Sequence, residues 1–238
     1  MRLVTYDCEV FAYDWLVTLK DKETGQRTRI WNDNEAVKQF MAQEPLLAGF
    51  NNKHYDQFIL RAVLSDYTPE EVKQVNDFII VQGHEGWEHP GLRDSGIYFD
   101  QYDLMDDCQM GLSLKAIEAH LGMDIRETTV SFNIDRPLTE EEKAEVEFYC
   151  DHDVDATDEL DDLRQGYLGN KLALGREKNI YPAKALYMTN AKLTAAFLDA
   201  EPKPHYDERE YVYPSKLLRQ YIPQEVFGFF DRLKDMSI

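Results

Sequence analysis

The sequence has no long apolar run and very few cysteines. No segment approaches the roughly 20 consecutive apolar residues that a membrane-spanning helix requires, so we expect no membrane partner. The first residues turn acidic too early for a signal peptide. The three cysteines, Cys8, Cys108 and Cys150, are an odd number and show no spacing typical of a zinc site. They indicate free thiols in a reducing compartment, and we expect a cytoplasmic protein.

Basic residues are also scarce, because 26 lysines and arginines stand against 45 aspartates and glutamates, which gives a net charge of −19. Such a balance normally argues against nucleic acid as a partner. The charge is uneven, however, since residues 139–165 are strongly acidic whereas residues 170–192 are basic. An acidic body with a local basic strip can still hold a nucleic acid if bound divalent cations neutralise the acidic centre.

The order of apolar patterns predicts strands first and then alternating helices and strands. Predicted strands cover residues 3–7, 14–20, 27–31, 46–50 and 97–104, and predicted helices cover residues 33–42, 56–64, 113–121 and 139–164, with another beginning at residue 68. Residues 83–96 are rich in Gly, His and Pro and are predicted to be a loop. We expect an α/β fold with a mixed central β-sheet flanked by α-helices.

Asp7 and Glu9 lie two positions apart on the first predicted strand. Both carboxylates therefore leave the same face of the strand, and Cys8 points the other way, into the core. Two carboxylates so close together repel each other unless a cation lies between them. The pair is also compatible with an ordinary acidic strand end.

Three further side chains carry possible chemistry. Asp56 begins a predicted helix directly after a buried strand and a turn, where it could complete a metal site or simply cap the helix. Tyr149 and Asp153 are four positions apart on the last predicted helix and share a face with apolar residues. An aspartate on an apolar face is costly unless it is paired or binds a metal. The phenol of Tyr149 could orient a water molecule or could pack in the core.

Together these pieces resemble the three motifs of the DnaQ-like (DEDD) 3′–5′ exonuclease superfamily. Those motifs are Asp-x-Glu, then Gly-aromatic-Asn with a following aromatic-Asp, then Tyr-x-x-x-Asp. The residues that match them are Asp7 and Glu9, then Gly49, Phe50, Asn51, Tyr55 and Asp56, and finally Tyr149 and Asp153. Phe148 stands where other members carry a histidine, so the chain resembles the tyrosine subtype. The resemblance covers residues 1 to 165, and the order of the motifs is more specific than any one of them.

The resemblance implies an RNase H-like fold and the catalytic residues Asp7, Glu9, Asp56, Tyr149 and Asp153. The four carboxylates among them would bind two Mg²⁺ or Mn²⁺ ions, and Tyr149 would orient the attacking water. Hard oxygen donors suit these ions, and the absence of cysteine or histidine ligands argues against zinc. The implied reaction is hydrolysis of phosphodiester bonds at the 3′ end of single-stranded or frayed DNA, as in proofreading.

Four residues are candidates for contact with the substrate. Phe11 and Phe50 could stack on the terminal base, although core packing is equally compatible with both aromatic rings. Either Asn51 or Asn52 could be the polar residue of the second motif, and the register after Gly49 favours Asn51. We therefore expect Phe11, Phe50, Asn51 and Asn52 to line the substrate site.

We expect the exonuclease domain to cover residues 1–168 and a mostly helical extension, first basic and then mixed in charge, to cover residues 169–238. The extension is similar to the region that follows the proofreading domain in phage-type DNA polymerases. A polymerase region in the same parent chain, acting in DNA replication, is therefore a candidate partner. Two alternatives stay open, namely an RNA 3′–5′ exonuclease of the same superfamily and a catalytically silent module that binds nucleic acid or a polymerase.

Overall fold

The computed structural model describes residues 2–108, 111–201 and 223–226. Close contacts divide the chain into two units, Met1–Asp199 and Ala200–Ile238. The helices and strands with assigned bounds all belong to the first unit. The domain boundary predicted at residue 168 lies inside a continuous helix of that unit.

Five strands form one mixed sheet. They are β1 (Leu3–Val10), β2 (Trp15–Asp21), β3 (Arg27–Trp31), β4 (Leu46–Gly49) and β5 (Gln101–Asp103). Their order is β3-β2-β1-β4-β5, with antiparallel pairing among the first three and parallel pairing from β1 through β4 to β5. The prediction of an α/β fold with a mixed sheet flanked by helices is confirmed, and β1 lies at the centre of the sheet.

Helices cover both faces of this sheet. In the described part of the chain they are α1 (Asn34–Met41), α2 (Asp56–Leu64), α3 (Pro69–Ile80), α4 (Pro90–Arg93), α5 (Leu114–Leu121), α6 (Glu140–Glu177), α7 (Pro182–Tyr187) and α8 (Asn190–Phe197). The helices predicted to begin at residues 68 and 139 both start with a capping box, since the hydroxyls of Thr68 and Thr139 each accept a hydrogen bond from the amide three residues ahead. These local signals fix where the helices begin.

Three predicted segments differ from the structure. The strand predicted over residues 97–104 is confined to Gln101–Asp103, because only that stretch pairs with β4. The predicted loop 83–96 contains a 3₁₀ turn, Gly86–Glu88, and α4. The last predicted helix continues past Arg164 to Glu177, because its final turns pack against α7 and α8.

Alternate side chains of β1 enter two different cores. Tyr6 and Cys8 pack with apolar residues of α2 and α3 on one face of the sheet. On the other face, Thr5 donates a hydrogen bond to Asp158 of α6 at 3.3 Å. Phe11, directly after β1, packs on the same face against α6 residues that include Cys150. The face that carries the odd-numbered residues of β1 therefore lies under α6.

Ion pairs dock α6 onto this face. The basic partners, Lys20, Lys22, Arg27 and Arg29, lie on or directly after β2 and β3, and the acidic partners are Asp151, Asp155, Asp158, Asp161 and Asp162 of α6. The innermost is Asp161, which is fully buried, lies 2.8 Å from Lys22 Nζ and accepts a hydrogen bond from Tyr102 at 2.5 Å. Five of the acids in segment 139–165 thus pair with basic residues of the sheet and hold the helix in place.

The glycines of α6 allow a matched test of its packing. A Cβ added at Gly175 would lie 2.6 Å from the Ala185 Cβ of α7, whereas a Cβ at Gly169 would meet no atom within 4 Å. We expect Gly175→Ala to cost about 1–3 kcal/mol because α6 and α7 must separate. Gly169→Ala should stabilise by about 1 kcal/mol through helix propensity alone. Urea denaturation of the two variants measures both effects, and equal effects would contradict the close helix contact.

Candidate metal centre

Three elements bring four carboxylates together. Asp7 and Glu9 lie on β1, Asp56 is the first residue of α2, and Asp153 lies on α6. Asp56 is fixed against β1, because its Oδ1 accepts a hydrogen bond from the Cys8 amide at 3.0 Å. Burial raises the pKa of Asp7, and the charges of Asp56, Glu9 and Asp153 raise it further. These are the four carboxylates that the sequence motifs single out.

The carboxylates of this cluster resist ionisation. Burial raises the pKa of Asp7 and of Glu9 well above their usual range, and the neighbouring carboxylates raise both further. Burial also raises the pKa of Asp56 to about 7, against the opposing effect of the hydrogen bond from Cys8. A buried group of like charges costs free energy, which either protons or a cation can relieve.

Lys115 of α5 supplies a positive charge to the same place. Its ammonium group pairs with Asp153 and lies 4.9 Å from the centre of the Tyr149 ring. Its charge also opposes the rise in the pKa of Glu9. The sequence analysis did not place Lys115 in the site. The sequence does carry one indication of its role. A lysine in the first turn of a helix interacts unfavourably with the helix dipole, which suggests that its charge is used outside the helix.

Tyr149 lies beside Asp153, as their spacing on α6 predicts. Burial, then the charges of Asp153 and Glu9, and a hydrogen bond with Asp153 all raise the pKa of the Tyr149 phenol. The phenol therefore keeps its proton throughout the neutral range. It can donate a hydrogen bond to a water or an oxygen anion, and it cannot act as a base.

Asp103, which the sequence analysis also missed, shapes the loop that leads to Asp56. It ends β5, is almost fully buried and accepts hydrogen bonds from the amides of Asn51 at 2.8 Å, Lys53 at 3.0 Å and Met105 at 2.9 Å. Asn51 adopts a left-handed backbone with φ of 62°, which asparagine tolerates better than most residues. The buried carboxylate thus holds the second motif in shape.

The four predicted substrate contacts lie in two different environments. Phe50 and Asn51 are half-buried and keep some surface at the end of β4. Phe11 is 0 % exposed and stacks on Phe132 with ring centres 5.1 Å apart, and Asn52 is also 0 % exposed. Protein atoms therefore cover Phe11 and Asn52, whereas Phe50 and Asn51 keep exposed surface that a substrate could contact.

The basic strip at residues 170–192 is only partly available to a ligand. Lys171 is buried and donates a hydrogen bond to the Leu186 carbonyl at 2.6 Å, and Lys178 pairs with Asp199 at 2.5 Å. The other basic residues of the strip, Arg176, Lys184 and Lys192, are exposed. The strip therefore contributes to the packing of α6 against α7 and offers three charges to solvent.

The donor set fits a divalent cation. One oxygen each from Asp7 and Glu9 and the Cys150 sulfur all lie within 4.8 Å of one another. Glu9 is only 8 % exposed, and none of the described residues donates a hydrogen bond to its carboxylate. A largely buried carboxylate that accepts no hydrogen bond from the protein is a suitable ligand for a hard cation such as Mg²⁺ or Mn²⁺. The sequence analysis counted no cysteine among the ligands, whereas the structure places the Cys150 sulfur beside Asp7 and Glu9.

Comparison of the chain with protein-family models, with curated proteins and with solved structures found no match. The structure adds one general fact, namely that no helix within residues 2–108, 111–201 or 223–226 is long and apolar enough to cross a membrane.

Proposed function

We propose that the chain is a metal-dependent 3′–5′ exonuclease that hydrolyses phosphodiester bonds at the 3′ end of single-stranded or frayed DNA. The observation that carries this proposal is the convergence of Asp7, Glu9, Asp56 and Asp153 around a centre that also holds Tyr149. The strand order β3-β2-β1-β4-β5, with α6 lying across the face of β1, supports an RNase H-like fold.

Each residue has a role that its contacts suggest. Asp7, Glu9, Asp56 and Asp153 would hold two Mg²⁺ or Mn²⁺ ions, which when bound supply an activated water and stabilise the leaving oxygen. Tyr149, as a protonated phenol, would orient the water by donating a hydrogen bond.

Lys115 places its charge beside Tyr149, where it would also stabilise the negative charge of a phosphate. Asp103 would keep Phe50 and Asn51 in position, and both could then contact the terminal nucleotide. From the free cysteines we also propose a cytoplasmic location, and from the sequence resemblance a phage-type DNA polymerase region as the partner.

The experiment that tests the proposal is degradation of a 5′-labelled single-stranded DNA and of the matching RNA, in Mg²⁺, in Mn²⁺ and in EDTA. We expect stepwise shortening of DNA from the 3′ end that EDTA abolishes. A duplex with a mismatched 3′ end should be shortened faster than a matched duplex. If RNA is shortened faster than DNA, the substrate is RNA. A folded protein that cleaves neither would contradict the proposal.

Tyr149→Phe should reduce cleavage by about 10–100-fold, less than the loss of a carboxylate ligand. The reason is that removing the hydroxyl leaves the metal ligands in place and removes only the orientation of the water. Because the phenol stays protonated, the dependence of kcat on pH should keep its shape in the variant. A wild-type pH profile whose rising limb disappears in Tyr149→Phe would show instead that the phenol ionises during catalysis.

A further inference from the structure

Cys150 places a thiol among the carboxylates. It follows Tyr149 on α6, is 0 % exposed and donates a hydrogen bond from Sγ to Asp7 Oδ2 at 3.4 Å. Its sulfur and one oxygen each from Asp7 and Glu9 all lie within 4.8 Å of one another. A soft sulfur donor therefore faces the same volume as two hard oxygen donors.

Glu9 gives an independent indication that this volume is built for a ligand. Its side chain is 8 % exposed, and among residues 2–108, 111–201 and 223–226 no group donates a hydrogen bond to its carboxylate. A buried carboxylate without a donor is costly unless a cation meets it. Glu9 is thus a largely buried oxygen donor beside the Cys150 sulfur, and its carboxylate is open to a cation.

We propose that Asp7, Glu9 and Cys150 form a mixed oxygen–sulfur site that binds a thiophilic divalent cation such as Zn²⁺ or Cd²⁺. Three protein ligands with one open position are a common arrangement for zinc. Donor atoms in such a site lie about 3.5 Å apart, given zinc–ligand distances of about 2.0–2.3 Å, so the side chains must close by about 1 Å.

Binding of the metal ion displaces the proton of the Cys150 thiol. The S–H bond of Cys150 breaks, its proton leaves to the solvent, and a metal–sulfur bond forms, so that Asp7 exchanges a hydrogen bond for a metal bond. Mg²⁺ and Mn²⁺ prefer oxygen donors and leave the thiol protonated. A thiophilic ion would occupy the position of a catalytic ion and inhibit cleavage. This part of the inference rests on the proposed function.

The test is titration of the metal-free protein with CdCl₂ while the ultraviolet charge-transfer band of a cadmium–thiolate bond is recorded. We expect the band to saturate at about one equivalent in the wild type and to be absent in Cys150→Ser and in Cys150→Ala. Cys108→Ser is the matched control, because Cys108 bonds to the Leu104 carbonyl instead of the cluster, and the band should persist there. Asp7→Asn should weaken cadmium binding by at least about 10-fold.

A wild type that shows no band, or a band that survives in both Cys150 variants, would overturn the site. Loss of the band in Cys108→Ser would show that Cys108 supplies the thiolate and would also overturn the proposed site.

In the cleavage assay, the Zn²⁺ concentration that halves the Mg²⁺-supported rate should rise by at least about 10-fold in Cys150→Ser. The spectrum does not depend on nuclease activity, so a protein that binds cadmium through Cys150 but cleaves nothing would refute the proposed function alone.

Discussion

Asp7→Asn should abolish metal-dependent cleavage and at the same time make the metal-free protein more stable. Asp7 is the residue whose pKa is raised by burial and by three neighbouring carboxylates, so its charge costs free energy in the folded state without metal. Removing the charge relieves that cost but also removes a metal ligand. We expect the cleavage rate to fall by at least about 1,000-fold, as the loss of several kcal/mol of charge stabilisation implies. The melting temperature in EDTA should rise by several degrees.

Asp153→Asn separates these two effects. It should lose activity to a similar extent, because Asp153 is also a proposed metal ligand. It should not gain stability, because Asp153 pairs with Lys115, and its removal leaves that ammonium group without its closest partner. Glu159→Gln is the control, since Glu159 is an exposed acid on the same helix and should change neither quantity. Full activity of Asp7→Asn in Mg²⁺ would contradict the metal-centre assignment.

Local features of the fold could be predicted from the sequence because they depend on neighbours along the chain. Thr68 and Thr139 accept hydrogen bonds from the amides three positions ahead, and the two helices begin where the sequence predicts. The alternation of Asp7, Cys8 and Glu9 along β1 likewise follows from strand geometry, and the structure has Cys8 in the core with the two acids on the other face. In both cases the relevant interaction spans only a few residues.

The parts of the site that the sequence did not indicate depend on contacts between distant residues. Lys115 meets Asp153, Asp103 meets Asn51, and Cys150 meets Asp7 across separations of 38, 52 and 143 positions respectively. Composition shows that acids are abundant on α6 but not which of them pair with β2 and β3. A sequence therefore indicates which groups could be catalytic, whereas the groups that hold or neutralise them become visible only when the chain is folded.

The stability of the metal-free protein should fall as the pH rises from about 4 to about 7. The folded state holds a proton on Asp56 up to a pKa of about 7, whereas an unfolded chain releases that proton near pH 4. The folded state therefore binds more protons between these values, and stability decreases as pH rises through this window. Asp7 and Glu9, whose pKa values are also raised, act in the same direction. The expected total is on the order of a few kcal/mol.

Asp21 limits this trend on the acid side. The hydrogen bond from Arg2 lowers its pKa to about 2, so the stability that it contributes is present above pH 4 and is lost as pH falls towards 2. The stability of the metal-free protein should therefore be greatest near pH 4–5. Asp56→Asn should make the decrease between about pH 4 and 7 smaller and leave the acid limb unchanged, as urea denaturation in EDTA at a series of pH values would show.

Divalent cations should reverse the loss at high pH. Because a cation binds only ionised carboxylates, protons compete with it at pH 5 and hardly compete at pH 8. Saturating Mn²⁺ stabilises the folded state by RT ln(1 + [Mn²⁺]/Kd), which is about 2.7 kcal/mol at one hundred times Kd. The increase in melting temperature on adding Mn²⁺ should be larger at pH 8 than at pH 5 and should disappear in Asp7→Asn. An equal increase at both pH values, or one that persists in that variant, would place the bound ion outside the cluster of Asp7, Glu9, Asp56 and Asp153.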